Sequence, residues 1–337
     1  TGLARRRGEG RAGVIRTRLP GQGQDTRDMD DQPAKIIYIL GGGHSGSTLL
    51  DLILGSTPES FSVGELMYVD FYKGYKTVKT FRLVRGRLCT CGEHFDECEF
   101  WSNVKFDGTD NVAKHESLGE SFRILLNIMN PFERWMKAKF QLSPNRDVYS
   151  RILKQARTFK PDVRYIVDSS KDPRRLYELI NDPDIGPEKL AVIHLIRDGR
   201  GYIYSYQKPQ RLEGGRELRS TLPCLVEWII VNIISRRIVR KYKLNAFTLS
   251  YDRFAEKPDE HLEKLGEYLG FELETGAALS AIEETVYHNV HGNPIRRRKI
   301  EAIRRDTAWE GFFSPVKKFL LTAILYPFNR RWVYSRD

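Results

Sequence analysis

The sequence has few cysteines and no long apolar run, and each shortage excludes a class of protein. Four cysteines in 337 residues are too few for a disulfide scaffold. The longest apolar run near the C-terminus, residues 319–328, is too short to span a bilayer and is typical of a packed helix. Basic and aromatic residues do not alternate as in RNA-recognition modules, so we expect no nucleic-acid partner.

Positive charge is concentrated at the two ends of the chain. Of the formal net charge of +11, residues 1–30 carry +3 and residues 296–337 carry +7, which leaves +1 between them. This distribution is typical of a solvated basic surface or of a local anionic ligand. Residues 1–34 have no apolar segment and predict a disordered basic stretch rather than a signal peptide. We expect a cytoplasmic protein with no transmembrane segment, and a peripheral membrane contact stays open.

After residue 34, short apolar runs alternate with segments of helical spacing. Buried strands are predicted at residues 35–40, 164–168, 190–196 and 245–250. Helices are predicted at residues 47–55, 116–142, 147–158, 173–181, 201–207, 223–242 and 259–269, and the part after residue 277 as irregular and then helical. This alternation predicts an α/β fold, a P-loop-like three-layer sandwich with a central parallel sheet flanked by helices. We expect one domain over residues 35–337.

The stretch IYILGGGHSGSTLLDLILG, residues 37–55, places a glycine-rich turn between a strand and a helix. Backbone N–H groups of such a turn, at a helix N-terminus, form an anion site. The turn is nearly a Walker A loop, G-x-x-x-x-G-K-[ST], but Ser47 stands where that loop has its lysine. A bound triphosphate would therefore lack its main counter-charge. Ser45, Ser47 and Thr48 add hydroxyl donors, and we predict a loop for another phosphate ester.

A second motif follows the strand at residues 190–196. Arg197 stands at the carboxyl end of that strand, where ligands of parallel sheets bind, and Ser205 follows about two helical turns later. The two side chains can thus contact one anion. Taken alone, the motif is better explained as an Arg197–Asp198 pair at a helix start.

Together these motifs resemble the sulfotransferase superfamily that uses 3′-phosphoadenosine 5′-phosphosulfate (PAPS), in its bacterial, tyrosylprotein and carbohydrate branches. Further segments that resemble family members, in family order, are residues 64–70, 88–101, 168–176, 249–254 and 288–309, and the pair Trp228 and Asn232. The resemblance implies transfer of a sulfuryl group from PAPS to a hydroxyl or amine by in-line displacement, with no metal required. The acceptor would be a small molecule, a glycan or a phenol, bound by excursions around residues 68–150 and 206–222.

The resemblance also implies residue roles. Glu65 would be the general base, Lys171 would steady the sulfuryl oxygens, and His44, where the family has Arg or Lys, would donate to the phosphosulfate or act as an acid. The implied PAPS-binding residues are Gly43, His44, Ser45, Gly46, Ser47, Thr48, Arg197, Ser205, Tyr251, Asn293, Arg296 and Arg297.

Two other functions stay open on the residues alone. Asp168 ends an apolar strand, as a Walker B aspartate does, and with Ser47 it would hold Mg²⁺ in a P-loop kinase with a degenerate loop. The second function that stays open is that of a non-catalytic nucleotide- or anion-binding module.

The cysteines Cys89, Cys91 and Cys98 are clustered with His94 between them. Their spacing leaves free thiols, a Cys91–Cys98 disulfide or a zinc site with His94 open. The C-x-C spacing is tighter than most zinc motifs, so free thiols are favoured and no metal ligand is predicted.

Overall fold

Five parallel strands form one sheet in the order β2-β3-β1-β4-β5. The strands are β1 (Lys35–Gly41), β2 (Ser60–Gly64), β3 (Tyr165–Lys171), β4 (Leu190–Ile196) and β5 (Ala246–Ser250). The computed structural model describes residues 34–69, 88–106, 148–209 and 218–335. These residues belong to one compact unit, Pro33–Asp337.

The described helices are numbered in chain order. They are α1 (Ser47–Gly55), α2 (Val148–Phe159), α3 (Pro173–Asn181), α4 (Gly199–Gln207), α5 (Thr221–Lys241), α6 (Tyr251–Glu256), α7 (Pro258–Leu269), α8 (Thr275–Glu284), α9 (Trp309–Phe312) and α10 (Pro315–Trp332). Short 3₁₀ turns lie at Leu66–Tyr68, Pro187–Lys189 and Pro294–Arg297.

The central strand β1 shows why helices cover both faces of the sheet. Successive side chains of a strand point to opposite faces. Accordingly Ile36, Tyr38 and Leu40 join one core, with α2, α3 and α5, whereas Ile37 and Ile39 join another, with α1, α7 and α8. All five side chains are fully buried. The predicted α/β sandwich with a central parallel sheet is therefore confirmed.

The register of the sheet brings three strand ends together. β1 pairs in parallel with β3 on one side and β4 on the other, with Leu40 opposite Lys171 and Gly41 opposite Leu195. Chain segments that leave these strands therefore start side by side at one edge of the sheet. The glycine turn after β1, Lys171 and Arg197 all lie at this edge.

Some sequence predictions differ from the structure or fall outside it. α8 (Thr275–Glu284) extends past residue 277, where an irregular chain was expected, because Glu274 caps its first turn through the N–H groups of Gly276 and Ala277. The helix at residues 116–142, the segment 1–33, most of the acceptor excursion 68–150 and residues 210–217 of the excursion 206–222 lie outside the described residues. In α10, Leu321 and Leu325 are packed as expected, but Phe319 is 72% exposed.

None of the described helices combines the length and the apolar composition needed to cross a membrane.

The segment 287–293 is joined to the end of β2 by backbone hydrogen bonds. The Val290 N–H donates to the Val63 carbonyl and the Glu65 N–H donates to the Val290 carbonyl, each at 2.8 Å. The Tyr287 hydroxyl donates to a carbonyl of α1 at 2.8 Å. This pairing, between residues more than 200 positions apart, brings the basic loop after residue 292 to the strand edge.

We predict that Asp51, a buried residue of α1, lowers the stability of the protein as the pH rises. Its Oδ2 accepts a hydrogen bond from Asn289 Nδ2 at 2.6 Å, and burial raises its pKa from 3.8 to about 7. The folded state thus holds a proton that the unfolded state loses, so the free energy of unfolding falls by up to about 4 kcal/mol between about pH 4 and about pH 7. Asp51→Asn should remove this fall.

Chemical denaturation across that pH range measures the effect. The free energy of unfolding of Asp51→Asn, relative to the wild type, should increase with pH. Ser280→Ala, at an exposed position of α8, removes no titrating group, so it serves as the control and should differ from the wild type by a constant amount. A pH-independent difference for Asp51→Asn would contradict the assignment.

Candidate functional site

Left-handed backbone is concentrated at the edge where β3, β1 and β4 end. Three of the four non-glycine residues with positive φ in the described part of the chain lie there: His44 (58°), Lys171 (69°) and His291 (52°). Each such conformation costs about 1 kcal/mol or more and persists where the surrounding structure holds it, most often at functional sites. The strained residues mark this edge as the candidate site.

The glycine turn leads directly into α1. Gly46, with a φ of 92°, precedes the helix, and the Tyr251 ring occupies the space that a side chain on Gly46 would need. The Ser45 hydroxyl donates to the Gly42 carbonyl at 2.8 Å and stabilises the turn. The predicted loop residues Gly43 to Thr48 are therefore placed at a helix N-terminus, the geometry that binds anions.

Arg197 joins the second motif to this loop. Its Nη1 donates to the His44 carbonyl at 2.9 Å and to the Ser205 hydroxyl at 3.1 Å. Its Nη2 donates to Asp306 at 2.8 Å, and its guanidinium lies over the Tyr251 ring, 5.3 Å from the centroid. The structure thus brings Ser205 and Tyr251, two of the residues named for PAPS binding, into contact with Arg197. Asp306 is a partner that the sequence did not indicate.

Two buried guanidinium atoms at this edge have no hydrogen-bond partner among the described residues. They are Arg197 Nε and Arg296 Nη1. A buried donor without a partner costs about 1–3 kcal/mol, so such atoms are rare in folded proteins. Arg197 Nε lies against Gly201, 3.0 Å from the position of a Cβ built there, and Arg296 Nη1 lies 3.6 Å from the position of a Cβ built on Gly292.

Glu65 and Lys171 form an ion pair at the ends of β2 and β3, and their side chains are 12% and 13% exposed. Burial by itself would raise the pKa of Glu65, but Lys171, His291 and Arg296 outweigh burial and lower that pKa below its usual 4.5. Glu65 is therefore an ionised carboxylate at neutral pH.

Gly292 lies where the loop, the carboxylate and the basic segment meet. A Cβ built on Gly292 would lie 3.7 Å from Thr48 Oγ1, 3.8 Å from Glu65 Oε1 and 3.6 Å from Arg296 Nη1. The next residue, Asn293, donates its backbone N–H to Thr48 Oγ1 at 3.3 Å. A hydroxyl donor, a carboxylate and a guanidinium thus surround one small region at the sheet edge.

Two predicted binding residues have their polar atoms engaged elsewhere. The Asn293 side chain accepts the Ile295 N–H at 3.0 Å and so caps its own 3₁₀ turn. Arg297 donates to the carbonyls of Leu88 and Cys89 at 3.1 and 3.2 Å.

The ring of His44, another predicted site residue, packs edge-on against the Tyr206 ring, with 4.7 Å between ring centroids.

Asp168, the alternative magnesium ligand, is occupied by the fold. Its Oδ2 accepts from the Tyr149 hydroxyl at 2.6 Å, and its Oδ1 accepts from both the backbone and the side chain of Ser170. Binding of Mg²⁺ in the manner of a Walker B aspartate would break these bonds. The kinase reading is therefore not favoured by the geometry.

Comparison with known proteins finds neither a matching family model nor a matching curated protein. Solved structures similar to this chain include the sulfotransferase domain of the Synechococcus PCC 7002 olefin synthase, with 19% identity, 88% and 96% of the two chains covered and a TM-score of 0.48. The sulfotransferase domain of the curacin biosynthetic pathway has 16% identity, 88% and 98% coverage and a TM-score of 0.45. A sulfotransferase from Mycobacterium avium has 12% identity, 90% and 78% of the two chains covered and a TM-score of 0.43.

All three are sulfotransferases, the superfamily that the motifs resemble. At these identities and TM-scores, the activity of this chain has to be judged from its own residues.

We predict that Lys171 keeps the pKa of Glu65 low. The stabilisation by ionised Glu65 is then present above pH 4.5 and is lost as the pH falls through the lowered folded-state pKa. The stability difference between wild type and Glu65→Gln should therefore grow as the pH rises through the acid range. In a Lys171→Met background only His291 and Arg296 oppose burial, so the pKa of Glu65 should rise and the same difference should grow less steeply, or fall, as the pH rises.

Chemical denaturation at acid pH is carried out on the wild type, Glu65→Gln, Lys171→Met and the double variant. It measures how the stability difference due to Glu65→Gln changes with pH in each background. Lys154→Met, at an exposed position of α2, is the matched control and should keep the wild-type slope. Equal slopes in the wild-type and Lys171→Met backgrounds would show that Lys171 does not set the pKa of Glu65.

Proposed function

We propose that the protein is a sulfotransferase that moves a sulfuryl group from PAPS to a hydroxyl or amine acceptor. The observation that carries this proposal is the group of side chains around Gly292. There an ionised carboxylate, Glu65, lies beside the Thr48 hydroxyl at the end of the glycine turn and beside the Arg296 guanidinium. Sulfuryl transfer needs a base, hydrogen-bond donors around the phosphosulfate and positive charge.

The residues present fit PAPS. The N–H groups of residues 43–48 and the hydroxyls of Ser47 and Thr48 would hold the 5′-phosphosulfate. Arg197 would hold the 3′-phosphate, joined by Ser205 once its hydroxyl turns from the Gly201 carbonyl. The orphaned Nη1 of Arg296 supports this fit, because it lies beside Gly292 and lacks a hydrogen-bond acceptor among the described residues. PAPS, when bound, supplies a sulfuryl group attached to a phosphate leaving group.

Asp306 imposes a condition on this arrangement. Its carboxylate pairs with Arg197 and is 34% exposed, whereas Arg197 is 8% exposed. A 3′-phosphate at Arg197 would therefore replace one anion with another rather than bind an unpaired cation. The more exposed partner, Asp306, is the one able to turn into solvent.

Glu65 is suited to take the proton of the acceptor. A carboxylate has about four lone-pair positions, so Glu65 can accept from Lys171 and from an acceptor hydroxyl together. Lys171 both keeps the carboxylate ionised and places positive charge beside the transferring group. His44 would contribute a further donor or acid to the leaving phosphate. None of these steps needs a metal ion.

We predict that adenosine 3′,5′-bisphosphate stabilises the protein against heat in the absence of Mg²⁺. The site supplies its own cations, so the bisphosphate should raise the melting temperature, and Arg197→Ala should abolish most of the rise. Arg164→Ala, an exposed arginine before β3, is the control and should respond like the wild type. Stabilisation only by ATP with Mg²⁺ would refute the sulfotransferase proposal in favour of a kinase.

We also predict that Glu65→Gln keeps bisphosphate binding and loses transfer. Removal of a general base typically costs 10²–10⁴-fold in rate, roughly, while the anion loop is left intact. The assay incubates the protein with PAPS and a pool of phenols, sugars and amines and detects sulfated products by mass spectrometry. Glu263→Gln, on the exposed side of α7, should transfer at the wild-type rate. Undiminished transfer by Glu65→Gln would remove Glu65 from its role.

A further inference from the structure

Three cysteines and a distant histidine meet at the edge of the core. Cys89, Cys91 and Cys98 lie on a compact turn in which the Gly92 N–H donates to the Cys89 carbonyl at 3.1 Å. His288, 190 positions after Cys98, reaches them from the segment that pairs with β2. Cys89, Cys98 and His288 are buried, and Cys91 is partly buried.

The distances between these side chains match a tetrahedral zinc cage. Cys98 Sγ lies 3.2 Å and Cys89 Sγ 3.8 Å from His288 Nδ1, and Cys91 Sγ lies 3.7 Å from Cys98 Sγ. All four ligand atoms lie within 4.8 Å of one another. With Zn–S bonds of about 2.3 Å and Zn–N bonds of about 2.0 Å, tetrahedral geometry puts two sulfurs about 3.8 Å apart and a sulfur and a nitrogen about 3.5 Å apart.

We propose that Cys89, Cys91, Cys98 and His288 bind one Zn²⁺ as a closed structural site. Three thiolates and one imidazole form a Cys₃His set, which is typical of structural zinc and leaves no coordination position for a substrate. The site is separate from the PAPS proposal, since it uses none of the residues given to donor binding or proton transfer.

The surroundings of His288 hold its ring in the ligating orientation. The ring stacks on Phe100, with 5.5 Å between centroids, and packs against Phe61 and Phe159. The Trp101 indole donates to the His288 carbonyl at 2.6 Å. Fixed outer contacts of this kind orient metal ligands and are part of a metal site.

The disulfide that the sequence left open does not fit this geometry. The Cys91 and Cys98 sulfurs are 3.7 Å apart, whereas a disulfide bond is about 2.05 Å long. Among the described residues, Cys89, Cys91 and Cys98 form no disulfide. Without a metal, three thiols and an imidazole would share a mostly buried space with weak hydrogen bonds only.

The histidine named in the sequence is not the one that the fold selects. His94 has a side chain 41% exposed and lies 3.9 Å from Asp96, so it faces away from the cysteines. The sequence favours free thiols because the C-x-C spacing is tighter than in most zinc motifs. His94 is the only histidine within the cysteine cluster, and His288 is too far along the chain to be recognised.

A zinc ion at this site would hold residues 288–297 against the core. Zinc would link the turn at residues 88–98 to His288, four residues before Gly292. Arg297 already donates to the Leu88 and Cys89 carbonyls, which adds a second link between the same two segments. We therefore assign the zinc a structural role in holding residues 288–297 in place.

Metal analysis of the full-length protein, expressed with zinc and purified without chelators, tests the proposal. Inductively coupled plasma mass spectrometry should find one zinc per chain in the wild type. Cys98→Ser and His288→Ala should lose it, whereas the matched controls Cys224→Ser and His94→Ala should retain it. Zinc lost equally from His94→Ala, or retained in His288→Ala, would overturn the ligand set.

A second measurement covers the case in which the ligand variants do not fold. Wild-type protein stripped of zinc and loaded with Co²⁺ should show the visible bands of tetrahedral cobalt and thiolate-to-cobalt charge transfer. His288→Cys, which keeps four ligands, should show a shifted spectrum of the same kind. A wild type that holds neither metal, or that carries a Cys91–Cys98 disulfide by mass spectrometry, would refute the site.

Discussion

The pairing of residues 287–293 with the end of β2 is the constraint on which the rest of the site depends. It consists of two backbone hydrogen bonds at Val290 and the contact from Asn289 to Asp51. Through it, Gly292 lies between Thr48 and Glu65, and His288 lies among the cysteines. A single segment from the last sixth of the chain thus completes two sites that begin in the first third.

The parallel sheet supplies the other half of the arrangement. Because β3, β1 and β4 are neighbours and run in the same direction, Lys171, the glycine turn and Arg197 emerge at one edge. Under the proposed function, the cations that a Walker lysine would otherwise supply would come from these strand ends and from Arg296. This distribution would allow the loop to hold an anion with Ser47 in the lysine position.

Local features of the site could be predicted from the sequence, and long-range ones could not. The glycine turn and the Arg197–Ser205 spacing are determined by a strand and a helix that adjoin each other, so pattern alone predicts them. The Glu65–Lys171 pair needs the register of two strands about 100 residues apart, and the Asp306 partner of Arg197 comes from 109 residues away. His288 could not be recognised as a partner of the cysteines because it lies 190 positions after Cys98 in the chain.

A crystal structure with adenosine 3′,5′-bisphosphate, grown without Mg²⁺, would show which residues bind each phosphate. We expect the 5′-phosphate on the N–H groups of residues 43–48 and the 3′-phosphate on Arg197 and Ser205, with Asp306 displaced from the guanidinium. A bisphosphate bound elsewhere, or Arg197 still paired with Asp306 while the ligand occupies the loop in another orientation, would contradict this expectation.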